Sequence, residues 1–204
     1  MADTRQILIE QATVLIRSRS YSSISYNDLS AIVGIRKPSI HHHFPSKEDL
    51  GLAVVNAYHD KFVAKLARID QEQVSPMDRI LAYALIYQSA RGKNLGCVCG
   101  VLAAEMGSLP LTIQDRLRTF FDYHLNWLER TLISGWQNGE ILKQGTPRQQ
   151  AAMVINSLQG MLLVGRLSED KSIFDDTVAG IDAMLRAEVD TYALQYGVPV
   201  GRAS

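Results

Sequence analysis

Residues 25–50 read Ser-Tyr-Asn-Asp-Leu-Ser-Ala-Ile-Val-Gly-Ile-Arg-Lys-Pro-Ser-Ile-His-His-His-Phe-Pro-Ser-Lys-Glu-Asp-Leu. Ser25 predicts a helix N-cap, because its hydroxyl can accept a hydrogen bond from a free backbone amide, with Asp28 three residues on as a capping-box partner. A brief helix over Tyr26–Val33 follows, and Gly34 stops it by taking the left-handed conformation that ends a helix. Arg36-Lys37-Pro38-Ser39 starts a third helix of about two turns, with proline in its tolerated first turn. Phe44-Pro45-Ser46-Lys47-Glu48 breaks that helix and opens the next, with Ser46 as cap. Leu29, Ile32, Val33, Ile40 and Phe44 fall where the two short helices must pack. Two short helices around a tight turn, with hydrogen-bonding side chains clustered on the second, form the arrangement in which one helix lies across DNA and the other enters the major groove.

Outward from this stretch, apolar residues return every three to four positions and no alternating strand pattern appears, so the chain is expected to be all-α. A first helix is expected from about Thr4 to Ser18, ahead of the two short ones. Beyond them the elements lengthen: Lys47 to Ala67, Ser75-Pro76 to about Arg91, a short helix from about Cys97 to Met106, Leu109-Pro110 to about Asn138, Thr146-Pro147 to about Leu167, and Ile173 to about Tyr196, ended by Gly197 and Pro199. This lengthening divides the chain into an expected N-terminal three-helix unit, residues 1–47, and a larger helical unit, residues 48–204. The helix beginning at Lys47 is expected to be the only rigid link between them.

Lys plus Arg total 21 and Asp plus Glu total 21, so the chain is no polycation and any contact with nucleic acid must be local. No apolar run approaches the length of a membrane span, and two cysteines are far from a secreted disulfide framework; both point to the cytoplasm. Gly-rich phosphate loops, G-x-S-x-G and H-E-x-x-H are all missing, so no catalytic function and no cofactor are expected.

Residues 25–50, most densely the His43-Phe44-Pro45-Ser46-Lys47-Glu48 end, resemble the DNA-binding segment of the TetR family of transcriptional regulators. The resemblance implies a homodimer on a palindromic, double-stranded operator, paired through the last two helices, with a small-molecule effector in the larger unit respacing the two recognition helices. Repression is the family's commoner mode. The implied DNA-contacting set is Ser25, Tyr26, Arg36, Lys37, Ser39, His41, His42 and Lys47. Arg36 and Lys37 open the third helix, where they can address guanine acceptors or hold phosphate. The family usually carries Ser or Thr at the place of Arg36 and Tyr at the place of His41, so the operator sequence does not follow from the resemblance. Lys47 matches the family's phosphate-binding lysine. Tyr26 either reaches phosphate or packs at the helix start. His41, His42 and His43 point about 100° apart on a helix and cannot converge on one ion, so no metal is expected.

In the larger unit Tyr83, Tyr87, Phe120, Tyr123, His124, Trp127, Met153 and Asn156 recur at helical spacing with more hydrogen-bonding groups than a dry core needs. Tyr83, Tyr87, Phe120, Tyr123, Trp127, Met153 and Asn156 are the expected effector-binding residues, apolar walls with a few polar anchors. Cys97 and Cys99 are either small buried residues or a thiol pair sensing oxidants or electrophiles; two apart on a helix, they face different directions and are poorly placed to bond each other. Gly160, Gly165, Ala179 and Gly180 in the last two helices allow close helix approach across a two-fold axis.

Overall fold

A computed structural model describes residues 3–90, 95–167 and 172–186. Among the described residues the order is α1 (Thr4–Arg19), α2 (Tyr26–Val33), α3 (Lys37–His43), α4 (Lys47–Glu72), α5 (Pro76–Leu85), α6 (Val98–Ala104), α7 (Leu111–Gln137), α8 (Pro147–Val164) and α9 (Ile173–Leu185). Short 3-10 turns at Ile86–Ala90 and Met106–Ser108 follow α5 and α6. An isolated antiparallel bridge joins Ile141 to Arg186.

The helix starts follow local chemistry. Ser25 with Asp28, Ser46 with Asp49, and Thr146 with Gln149 each form a reciprocal capping box, satisfying two backbone donors that the first turn leaves free. Gly34 ends α2 at φ 75° and ψ 24°, a left-handed conformation that costs glycine no Cβ clash. The helix ends depart more from expectation. α4 runs to Glu72 rather than Ala67, because no breaker follows, Ile69 continues its buried stripe, and Arg68 pairs with Glu72 at 2.7 Å. α5 turns to 3-10 geometry at Ile86 instead of continuing as α-helix. The expected ends at Arg91 and Tyr196, with Gly197 and Pro199, lie outside the described residues.

In the N-terminal unit Leu8, Ala12, Ile16, Leu29, Ile40 and Phe44 are almost fully buried, and each of these side chains larger than alanine contributes about 1.5–3 kcal/mol. Ile32 was expected in this core but is 50% exposed. Val33 stands about 40° from Leu29 around the helix axis and is half-buried; Ile32 stands about 60° away on the other side, past the edge that α3 covers. In the larger unit α7 packs between α4, α5 and α8 around the fully buried Trp127, Tyr83 and Phe120. Gly51 on α4 is closely approached: a Cβ there would come within 2.7 Å of the Tyr21 ring and 2.8 Å of Ile113.

The two units are joined by more than α4. The α6 segment grips the end of α1: the Arg17 Nε donates to the Gly96 carbonyl at 2.7 Å, and the Gly96 amide donates back to the Arg17 carbonyl at 3.1 Å. Arg166, just past α8, donates to the Ser18 carbonyl at 3.1 Å. Glu105 accepts from the amides of Tyr21 at 2.8 Å and Ser22 at 2.9 Å, and from the Ser22 hydroxyl. The expectation of a single rigid link is therefore corrected, because side chains far along the sequence reach back to the α1–α2 turn.

Candidate DNA interface and ligand site

α3 is held from below and open above. Ile40 and Phe44 pin it to the core, while Arg36, Lys37, Ser39, His41 and His42 are exposed. Alternation between these sets is what a two-turn helix produces when one face packs and the rest meets solvent. The Ser30 hydroxyl donates to the Ile35 carbonyl at 2.6 Å, fixing the turn at Gly34 that sets the angle between α2 and α3. Tyr26 ties the start of α2 to the α3–α4 turn, its hydroxyl 2.8 Å from the Phe44 carbonyl and 2.6 Å from the Ser46 carbonyl. Its ring meets the edge of His41 at 4.7 Å. Burial, then the nearby Asp49 and Tyr21, push the Tyr26 phenol up to about 12, so it remains a neutral donor. Ser25 is engaged by Asp28 at 2.6 Å. The Lys47 ammonium donates to the Ser22 carbonyl at 3.2 Å and lies 4.6 Å from the centre of the Tyr21 ring. Burial lowers its pKa, against the pull of Glu105 and Asp28.

The larger unit contains a buried polar relay inside aromatic walls. The Tyr83 hydroxyl is 3.0 Å from the Tyr87 hydroxyl and 3.0 Å from Nδ1 of His124. His124 is 0% exposed, its ring 4.1 Å from Phe120 and 4.9 Å from Phe62. Burial, aided by His59, lowers its pKa to about 3, so the imidazole is neutral at physiological pH. Trp127 stacks on Tyr83 at 5.6 Å and donates from Nε1 to Asp70 at 3.0 Å. Tyr123 is half-buried against His59 at 5.3 Å.

Residues 8–54 match the model of bacterial regulatory proteins of the tetR family, and residues 76–181 match the tetracyclin repressor-like C-terminal domain. The chain belongs to the TetR family. It is 26% identical over 173 residues to the HTH-type transcriptional repressor DhaR of Mycobacterium sp. (strain GP1), covering 84% of this chain and 86% of that one. A TetR-family transcriptional regulator from Agrobacterium tumefaciens superimposes with a TM-score of 0.85 at 31% identity, covering 90% of this chain and 97% of the other. A TetR transcriptional regulator from Legionella pneumophila gives 0.84 at 28% identity, with 91% and 99% covered.

Within this TetR-family chain the expected site residues divide by position. Arg36, Lys37, Ser39, His41 and His42 are all exposed, His41 with its Nδ1 3.3 Å from the Pro45 carbonyl, whereas Ser25, Tyr26 and Lys47 spend their polar atoms on local backbone and capping partners. Tyr83, Tyr87, Phe120 and Trp127 are brought together, with Tyr123 at their margin. Met153 and Asn156 are not: they are exposed on the face of α8 opposite its buried Ala151, Val154 and Leu158. Cys97 and Cys99 are buried, and Cys97 accepts from the Tyr58 hydroxyl at 3.6 Å. Burial, then Cys97, pushes the Cys99 thiol well up, away from the reactive thiolate that a redox sensor needs. Glu105 and Arg17 were missed in the sequence; both act through partners about 80 residues distant, and no local pattern marks them. No described helix is long and apolar enough to cross a membrane.

Proposed function

We propose that this TetR-family regulator is a transcriptional repressor that binds a palindromic operator as a homodimer in the cytoplasm and is released by a small-molecule effector. The observation that carries the reading is α3: Ile40 and Phe44 fix it in the core while Arg36, Lys37, Ser39, His41 and His42 project together into solvent. Arg36 and Lys37 supply charge-assisted donors for guanine edges or phosphate, and Ser39, His41 and His42 supply shorter-reach donors. Ser25, Tyr26 and Lys47 lie at the rim, where a phosphate would compete for atoms now bound to backbone or to a cap. Repression is supported by the resemblance to a repressor, DhaR. Residues 1–47 would read DNA and residues 48–204 would sense and dimerise.

The second copy is expected on α8 and α9. An open groove of about 340 Å³ lies between them, lined by Ser157, Thr177, Gly180, Ile181 and Met184. Exposed Met153, Leu163 and Val164 extend its apolar surface, and beside Gly160 and Gly180 no atom approaches within 4 Å of where a Cβ would stand. Paired across a two-fold axis, such a face would meet the same face of the second copy, and its glycines would let the helices approach closely. An effector among Tyr83, Tyr87, Phe120, Tyr123 and Trp127 would move α4 and α6 together. Through Glu105 and Arg17 that motion would reach α1 and change the spacing of the two α3 helices. Coupling requires only that the effector bind the wrongly spaced state more tightly.

The test is binding of the purified protein to its own upstream intergenic DNA at two salt concentrations, with an Arg36→Ala/Lys37→Ala double variant as control. Tight binding that weakens with salt, and a variant whose slope of log K against log salt is smaller by up to about 4, two cations from each of the two copies, are the expected results. A variant that binds as the wild type does would overturn the assignment of α3.

A further inference from the structure

The Tyr87–Tyr83–His124 relay has a direction. Phenol is a stronger acid than neutral imidazole, and the imine nitrogen of imidazole is a stronger base than a phenol oxygen. Tyr83 therefore donates to Nδ1 of His124, and Tyr87 donates to the oxygen of Tyr83. With Nδ1 accepting, the one proton of the neutral ring sits on Nε2. That nitrogen is fully buried and has no hydrogen-bond partner among the described residues, as is true also of Nδ1 of the neighbouring His59 and of the Gln159 amide nitrogen. A buried donor without an acceptor is costly, and a folded chain keeps such a group where it has a use.

The surroundings limit what can satisfy it. The walls around His124 are Phe62, Phe120, Tyr83 and Tyr123, with His59 the one other imidazole facing it. Arg116, whose charge acts on His59, already donates to Asn56 at 2.5 Å. Among the described residues no cation is paired with His124, the Lys65 ammonium lying instead 5.6 Å from the centre of the Phe62 ring, and a carboxylate at Nε2 would be a buried, unpaired charge. We propose that His124 anchors an uncharged, largely apolar molecule through a carbonyl-type oxygen that accepts the Nε2–H. The aromatic walls supply the remaining contact area, and Tyr83 and Tyr87 act as positioning residues that hold the tautomer. This rests on the reading of the larger unit as the one that senses an effector.

The test compares acetophenone with ethylbenzene, which match in shape and differ in the carbonyl, on the full-length protein carrying ¹⁵N-labelled histidine. Acetophenone is expected to bind about tenfold more tightly and to shift the His124 Nε2–H resonance downfield. In His124→Phe the preference is expected to vanish while both probes still bind. The wild-type preference and the His124 signal stand whether or not that variant folds. Equal binding of the two probes, or binding that leaves the His124 resonance in place, overturns this inference alone. Binding of neither probe overturns it together with the sensing role of the aromatic cluster, and operator binding, measured separately, is untouched by any of these results.

Discussion

Glu105 and Ser22 are joined by two hydrogen bonds, one from the Ser22 amide at 2.9 Å and one from its hydroxyl, while the second carboxylate oxygen takes the Tyr21 amide at 2.8 Å. Immediately before them Ser20 stands at φ 98° and ψ 160°, a region that residues with a Cβ rarely occupy. The carboxylate thus holds closed the turn that the backbone alone would open, and this turn sets how α1 delivers α2 and α3.

Replacing Glu105 with Gln removes a charged acceptor from three donors and is expected to cost about 1–3 kcal/mol of unfolding free energy, read by urea denaturation. Burial raises the pKa of Glu105, but the bonds from Ser22 and Tyr21 outweigh it and leave the value lowered. Stability from this group is accordingly present above the ordinary glutamate range and is lost as pH falls through the lowered value. An E105Q variant with wild-type stability and wild-type inducer response would show that the clamp carries neither load.

Ser20→Gly addresses the same turn from the backbone side. Glycine adopts φ 98° without strain, so the variant is expected to gain up to about 1–2 kcal/mol, less its extra unfolded-state entropy. Thermal melting of S20G, E105Q and the double variant forms a cycle, and the loss from E105Q should be smaller in the glycine background. Strict additivity would mean that the strain and the carboxylate are independent.

His124 gives a pH dependence of its own. Its folded pKa of about 3 lies below the ordinary histidine value, so below about pH 6.5 the unfolded chain takes up a proton that the folded one refuses. Stability from this residue is therefore complete above that pH and falls by up to about 1.4 kcal/mol per unit as pH drops toward 3. Chemical denaturation between pH 5 and 7 should show that slope reduced in His124→Phe relative to the wild type. His59, also held below its usual value by burial and Arg116, is present in both proteins, so the difference between the two curves reports His124 together with its interaction with His59. Parallel curves would mean that His124 is protonated within the fold.

Arginine at Gly160 and Gly180 should separate folding from assembly. Open space faces both positions, so the single chain can accept the longer side chains, and the melting of its secondary structure should persist. Sedimentation is expected to report a monomer with operator affinity lower by at least about tenfold, since each copy alone reads only one half-site. A dimer unaffected by both substitutions would place the interface elsewhere.

What was legible in the sequence was local. Ser25 with Asp28, Ser46 with Asp49, Thr146 with Gln149, and Gly34 each act within a few residues, and each start or stop stands where the side-chain chemistry puts it. The face of a helix was less legible than its existence. Ile32 and Met153 fit an apolar stripe, but which edge of the stripe is covered depends on the neighbouring helix, and both emerged exposed. The aromatic part of the candidate ligand cluster was readable because Tyr83 with Tyr87, and Phe120 with Tyr123, His124 and Trp127, recur at helical spacing. The relay among them was not, since it needs α5 and α7 side by side. Least readable was Glu105, whose partners lie 83 and 84 residues earlier.

That separation sets an order of events during synthesis. At roughly 5–20 residues per second, on the order of 4–16 seconds pass between the addition of Ser22 and that of Glu105. A nascent chain therefore carries α2 and α3 for some time with the preceding turn unclamped, and the contact that completes the N-terminal unit arrives from the unit made after it. In a half-finished chain the α1–α2 turn is thus held by its backbone alone, and its final form waits on residues of the larger unit.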